Sequence, residues 1–271
     1  MLDHLILNTA ANTADAFRLS SYWHKPRMGK ITAGPIWDFD RAQGSTDGRD
    51  FDWGTWTGGG GTDFFTYPWY KEMLADPNFW QAWIDRLHEL RQGPLATAAV
   101  WARIDEFASI LNPGNAIDTP AKRSALRWTS SAPRGAGSNT PITNNLFDGQ
   151  YTGEVAWLKY WWERRLNFMD SQVTRPAVAS RPPGTVPAGS TVTLTSPSQA
   201  APGVKIYYTV DGTDPRGRTP GPLVTPSAIE YTGPITINGP TRLFVRVYNP
   251  AAPLPPVGSG FSAPTILVYS L

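Results

Sequence analysis

The stretch TRPAVASRPPGTVPAG, residues 174–189, divides the chain into two kinds of sequence. Four prolines in sixteen residues suit a stiff linker or a strand edge rather than a helix. Upstream of it, long helical patterns dominate, with all the tryptophans. Downstream, Pro, Gly, Thr and Val take over in short alternating runs. An α+β chain of two domains follows, 1–173 and 174–271.

Upstream, Asp76-Pro77 opens a helix, with Asp as N-cap and Pro at the first helical position. Its apolar stripe is Trp80, Trp83, Ile84 and Leu87, and Gly93-Pro94 stops it. A second helix carries Val100, Ile104, Phe107 and Leu111 and ends at Asn112-Pro113-Gly114. A short basic helix is predicted over Thr119 to Trp128. A long one is predicted over Gly153 to Val173, with Trp157, Trp161 and Phe168 on one face and Val155, Leu158, Trp162, Leu166 and Met169 on another. A helix apolar on two faces is buried on both sides. Leu2, Leu5 and Ile6 read as a helix already under way at the first residue, which predicts a natural upstream segment. Gly44 to Gly61 and Ser130 to Gly149 are long Gly-rich loops.

Downstream, Val192/Leu194, Ile206/Tyr208/Val210, Ile235/Ile237, Leu243/Val245/Val247 and Ile266/Val268 alternate as strands. Turns at Asp211-Gly212, Thr219-Pro220-Gly221, Thr232-Gly233-Pro234 and Asn238-Gly239-Pro240 separate them. Short strands at this spacing predict a β-sandwich.

Composition excludes several classes. With 41% apolar residues the 271-residue chain can bury a core, and with no Cys it has neither disulfides nor thiolate chemistry. A net charge of +2 from scattered Lys and Arg gives no nucleic-acid footprint. No apolar run is long enough to span a membrane. The first residues lack the basic and small-residue features of a signal peptide.

The chemistry-bearing stretch is NTADAFRLSSYWHKPRMGKITAGPIWDFDR, residues 12–41. It sets Asp15 before a basic segment and ends on Asp38 and Asp40 around Phe39. One loop carboxylate and a second beside Phe at a strand end is the pattern of kinase-like phosphotransferases. If residues 38–40 stay extended, Asp40 lies on the same side as Asp38, where it can share a metal or brace Arg41. Arg18 can pair with Asp15 or Asp38. Taken singly, each of these is also an ordinary surface carboxylate or cap. Lys25 and Lys30 flank a predicted hairpin turn, within reach of a phosphate or simply solvated. His4, His24 and His88 are too dispersed for a metal site. Gly58–Gly61 lacks the Lys-Ser/Thr of a phosphate loop. Asp47, Asp50 and Asp52 miss the EF-hand spacing. Trp53, Trp56 and Trp69 lie in or beside loops and could stack on a sugar, although Trp is more often packing.

Residues 1–173 resemble the C-terminal half of the CotH kinase family, bacterial spore-coat-type proteins with an atypical protein-kinase fold. The resemblance rests on Asn12, DAFRLSSYWHKPRMGKI (15–31), GPIWDFDRAQGS (34–45), LADPNFWQAWIDRLHELR (74–91) and EVAWLKYWWERRLNFMD (154–170). Residues 180–270 resemble the C-terminal β-domain of chitobiases and β-hexosaminidases, an Ig/fibronectin-like sandwich appended to many secreted bacterial proteins. There the matching residues are IYYTVDGTDPR (206–216), AIEYTGPITI (228–237) and TRLFVRVYN (241–249).

The first resemblance implies a mainly helical kinase C-lobe using ATP and Mg²⁺ or Mn²⁺. It implies Asp15 as the catalytic base, Asp38 and Asp40 as metal ligands, and Lys25 and Ser20 as cofactor contacts. Ser20 departs from the kinase pattern, which places a metal-binding Asn five residues after the base. The implied partner is a Ser/Thr-bearing protein at the cell or spore surface, with polysaccharide a second candidate. The implied location is extracellular or in the cell envelope, its signal peptide upstream. A kinase also needs a nucleotide-covering lobe, and only fourteen residues precede Asp15, so this stretch alone is expected to be inactive. The alternative is a degenerate scaffold in a surface or carbohydrate-associated protein. A glycosidase is not expected, since the β-module is accessory in those enzymes.

Overall fold

The computed structural model describes residues 1–44, 50–55, 65–114, 116–127, 151–256 and 258–271. Within these, helices fill the first part and strands the last, an α+β chain. The chain forms two compact units, Met1–Tyr67 with Glu89–Phe168, and Pro68–His88 with Met169–Leu271. Pro68–His88 therefore groups with the β-strands, where a single cut at 173/174 would place it with the other helices.

In the first unit, α1 (Leu2–Ala11) buries Leu5 and Ile6, and its end is turned by Asn12 in the left-handed region, φ 53°. β1 (Trp23–His24) and β2 (Thr32–Ala33) form the predicted hairpin, whose turn holds Lys25 and Lys30. α4 (Thr97–Leu111) forms as predicted, and none of its side chains is buried. Its stripe of Val100, Ile104, Phe107 and Leu111 instead lines an apolar hollow of about 590 Å³, shared with α1 and α6. α5 (Pro120–Arg127) starts after Thr119, whose hydroxyl accepts from Lys122 N–H at 3.1 Å.

α6 (Tyr151–Ser171) carries the core of this unit. Trp157 and Trp161 are buried and pack with Phe51, Trp53 and Tyr160. Trp157 stacks on Phe51 at 5.3 Å between ring centres. Trp53 is thus a packing residue. Trp69 is 74% exposed, and Trp56 lies outside the described residues, as do Asp47, Gly58–Gly61 and most of both Gly-rich loops.

In the second unit, α2 (Pro68–Ala75) buries Tyr70 and Leu74. The sequence reading missed this helix, although Pro68 at its start and the 70/74 pair signal it. α3 (Pro77–Arg91) begins as predicted: Asp76 Oδ1 accepts from the N–H groups of Asn78 and Phe79, each at 2.8 Å. The whole predicted stripe, Trp80, Trp83, Ile84 and Leu87, is buried.

The β-module contains β3 (Val178–Ala179), β4 (Gly184–Thr185), β5 (Ser190–Val192), β6 (Leu194–Thr195), β7 (Lys205–Thr209), β8 (Ile229–Glu230), β9 (Ile235–Ile237), β10 (Thr241–Tyr248) and β11 (Thr265–Ser270). Five strands form one sheet in the order β4-β11-β10-β7-β8, and β3-β6 and β5-β9 form two short pairs. Val192, Leu194, Ile235 and Ile237 from the pairs share one core with Ile206, Leu243, Val245, Val247 and Leu267 from the sheet. The Pro-rich stretch is strand edge rather than linker: β4 pairs with β11 at the sheet's margin. In β11 the inward residues are Leu267 and Tyr269, while Ile266 and Val268 face out, 44% and 53% exposed. The run TILVYS is apolar at both parities, so alternation alone could not set its face. In the observed register the Tyr269 hydroxyl donates to Arg181 O at 2.8 Å.

Candidate functional site

Asp15, Ser20 and Asp38 come together because two loops are laced by their backbones. Gln43 N–H donates to Ala11 O at 2.8 Å and Ala14 N–H to Arg41 O at 2.9 Å. The segment after α1 therefore lies against the segment after Asp38. Within the first loop, Ser20 N–H donates to Asp15 O at 3.0 Å, closing a turn around Asp15.

The side chains complete the link. Ser20, 4% exposed, donates its hydroxyl to Asp38 Oδ2 at 3.0 Å. Asp15 Oδ1 meets Arg18 at 3.1 Å, and Oδ2 meets Arg41 at 3.5 Å. The Asp15 side chain is 13% exposed against 43% and 51% for its two arginines, so it sits beneath them. The sequence left Arg18 between Asp15 and Asp38; the structure gives it to Asp15. Arg41, expected beside Asp40, also turns to Asp15.

The expectation of an extended Asp38–Asp40 segment is not met. Asp38 occupies the left-handed region, φ 64°, and Phe39–Arg41 wind into a 3₁₀ turn. Few side chains accept that region; Asp is one that does, at a cost on the order of 1 kcal/mol. In such a turn residues two apart point in different directions, so the strand argument for Asp40 joining Asp38 no longer holds. Both carboxylates are exposed. Lys25 is exposed on the hairpin turn and bonds to no described residue of the site. Tyr22 and Trp37 meet edge to face at 5.8 Å, half-exposed, two residues after Ser20 and one before Asp38.

Mg²⁺ is held in phosphotransferases by one or two carboxylates, with water and phosphate oxygens filling the rest. Asp38 fits that role, since the Ser20 hydroxyl leaves its other oxygen open. Among the described residues no three His, Asp or Glu side chains converge as an all-protein metal cage.

One residue that shapes the site went unnoticed in the sequence. Arg165 on α6 is fully buried, and its guanidinium donates to Thr9 O at 2.7 Å, Trp53 O at 2.9 Å and Thr55 O at 2.5 Å. It thereby ties the end of α1 to the 53–55 loop. Burial pulls its pKa down to about 9, against an upward pull from Asp52, so it stays charged at neutral pH. Its spacing from Trp157 and Trp161 is the legible signal: an Arg in an aromatic i, i+4, i+8 face must have buried acceptors. His4, which the sequence assigned no role, is buried in α1 with its pKa lowered by burial and by the N-terminal ammonium.

Comparison with curated proteins and with solved structures returned no match. Among protein-family models, the chitobiase/beta-hexosaminidase C-terminal domain matches residues 181–253. The CotH kinase protein model matches residues 1–169, a span holding both loops of the Asp15–Asp38 arrangement, and the chain belongs to that family.

Proposed function

We propose that Asp15 and Asp38 are the acceptor-side half of a phosphotransfer site, and that the intact protein moves the γ-phosphate of ATP to a Ser or Thr of a cell-surface or spore-coat protein. In this reading Asp15 takes the proton as the acceptor hydroxyl attacks phosphorus and ADP leaves. Asp38 would hold Mg²⁺ or Mn²⁺, while the 3₁₀ turn removes the reason for Asp40 to join it. Ser20 fixes the Asp38 carboxylate, and Lys25 is the candidate phosphate contact. The metal, when bound, neutralises charge on the β- and γ-phosphate oxygens. The carrying observation is the Ser20–Asp38 hydrogen bond, which sets the two loops side by side at 3.0 Å. Membership of the CotH family supports the same reading. An envelope or extracellular location belongs to this proposal.

One observation favours a second reading, an inactive surface scaffold. Both Asp15 oxygens already face guanidinium groups, and Ser stands where kinases carry Asn. Transfer of label from [γ-³²P]ATP by the intact protein, with and without Mg²⁺, decides between them. The phosphotransfer reading expects Mg²⁺-dependent labelling, lost by at least about a hundredfold in Asp38→Asn. Equal labelling by Asp38→Asn removes Asp38 from the chemistry, and absence of nucleotide binding by the intact protein leaves the scaffold.

A further inference from the structure

The second unit contains a polar pocket of about 320 Å³, lined among others by Asn78 and Asp85 of α3 and by Asp214, Arg216, Arg218 and Arg246 of the β-module. Three guanidinium groups stand against two carboxylates there, so the lining carries a net single positive charge. Both carboxylates are engaged by Arg246, which takes Asp85 at 2.8 and 2.8 Å and Asp214 at 2.7 and 2.6 Å. Arg246 also donates to Ser262 O, leaving it little capacity for a ligand.

Arg216 and Arg218 are differently placed. Arg216 Nη2 donates to Pro77 O at 3.1 Å and Asn78 Oδ1 at 3.2 Å. Its Nε and Nη1 have no acceptor among the described residues, and neither has the guanidinium of Arg218. The loop presenting them is held: Gly217 N–H donates to Leu223 O at 2.8 Å and Thr225 N–H to Pro215 O at 2.9 Å. Arg216 is half-buried, and its pKa is lowered by burial and by repulsion from Arg246 and, more weakly, Arg218, against upward pulls from Asp214 and Asp85. Like charges held together with unused donors are unfavourable, and a bound oxyanion offsets both costs.

We propose that Arg216 and Arg218 form an oxyanion-binding site on the β-module for a single sugar-sized anion, its carboxylate or phosphate group received by the two guanidinium forks. The volume lies at the small end of ligand pockets, which suits one ring rather than an oligosaccharide. The site does not depend on phosphotransfer at Asp15 and Asp38.

Titration calorimetry of the full chain at low salt, with glucuronate, glucose 6-phosphate and neutral glucose, tests this. At least one anion is expected to bind, glucose not. Preference for glucuronate or for glucose 6-phosphate identifies carboxylate or phosphate as the recognised group. Arg218→Gln, at an exposed position, is expected to keep the wild-type melting temperature and to bind at least about tenfold more weakly. Arg216→Lys, which keeps the charge and loses the fork, is expected to weaken binding as well. Absence of binding by both anions at about 10 mM, equal binding of glucose, or wild-type affinity in Arg218→Gln overturns the proposal.

Discussion

Replacing Arg246 by Ala tests what holds α3 to the β-module. The side chain is 3% exposed and makes two bidentate carboxylate contacts, one to Asp85 on α3 and one to Asp214 in the loop after β7. Removing one partner from a buried ion pair costs about 3–5 kcal/mol, because the remaining charge is left without compensation. Here two carboxylates remain, but they are 30% and 39% exposed, and water recovers part of their solvation. The lower end, about 3 kcal/mol, is therefore expected. The assay is urea unfolding followed by tryptophan fluorescence. The stacked Trp80–Trp83 pair, 4.6 Å between ring centres, reports from the same helix, and the Trp80 indole donates to Gly258 O at 2.8 Å. Asp85→Ala, which cuts the Arg246 tie to α3 and leaves the one to Asp214 and the Trp80–Gly258 bond in place, is expected to give a smaller loss and to raise the susceptibility of residues 68–88 to limited proteolysis. A change in Arg246→Ala below about 0.5 kcal/mol refutes the reasoning, because it would mean that desolvation already cancels the pair.

Three other outcomes are expected. Ser20→Ala removes the hydroxyl from Asp38 and should cost about 1 kcal/mol in chemical denaturation, with Mg²⁺-dependent labelling by the intact protein falling alongside. The His4 pKa lies below its ordinary value of 6.5 in the folded state, so the unfolded chain binds the extra proton first. Its contribution is fully present above pH 6.5 and is lost as pH falls through the lowered value; melting temperature against pH should show this slope, flattened in His4→Gln. Gly212→Ala forces a side chain onto φ 79° with its Cβ 2.6 Å from Arg242 Cδ, and should cost about 1–3 kcal/mol in thermal or urea unfolding.

Local signals carried far in this sequence where one residue type had one physical option. Asp76-Pro77 could only begin a helix, and the stripe at 80, 83, 84 and 87 could only face inward. The α+β division was legible for the same reason. The site was legible as residues but not as geometry. Nothing in the spelling Asp-Phe-Asp distinguishes a strand end from a left-handed residue followed by a 3₁₀ turn, because that choice is made by the Ala14–Arg41 backbone bond from a distant segment. The partners of Asp15 were hidden for a related reason: Arg41 reaches it across 26 positions of sequence. The α4 stripe shows the converse limit, since periodicity identified its apolar face while burial depended on what lay opposite.

The grip of Arg246 on Asp85 has a consequence for how such proteins can be assembled by recombination. A crossover at the Pro-rich stretch would transplant the strands while abandoning residues 68–88, and the transplanted module would arrive with an uncovered cation and a severed acidic partner. A donor segment that travels well must bring its helix along, even though that helix is spelled a hundred residues earlier, inside the neighbouring family's territory.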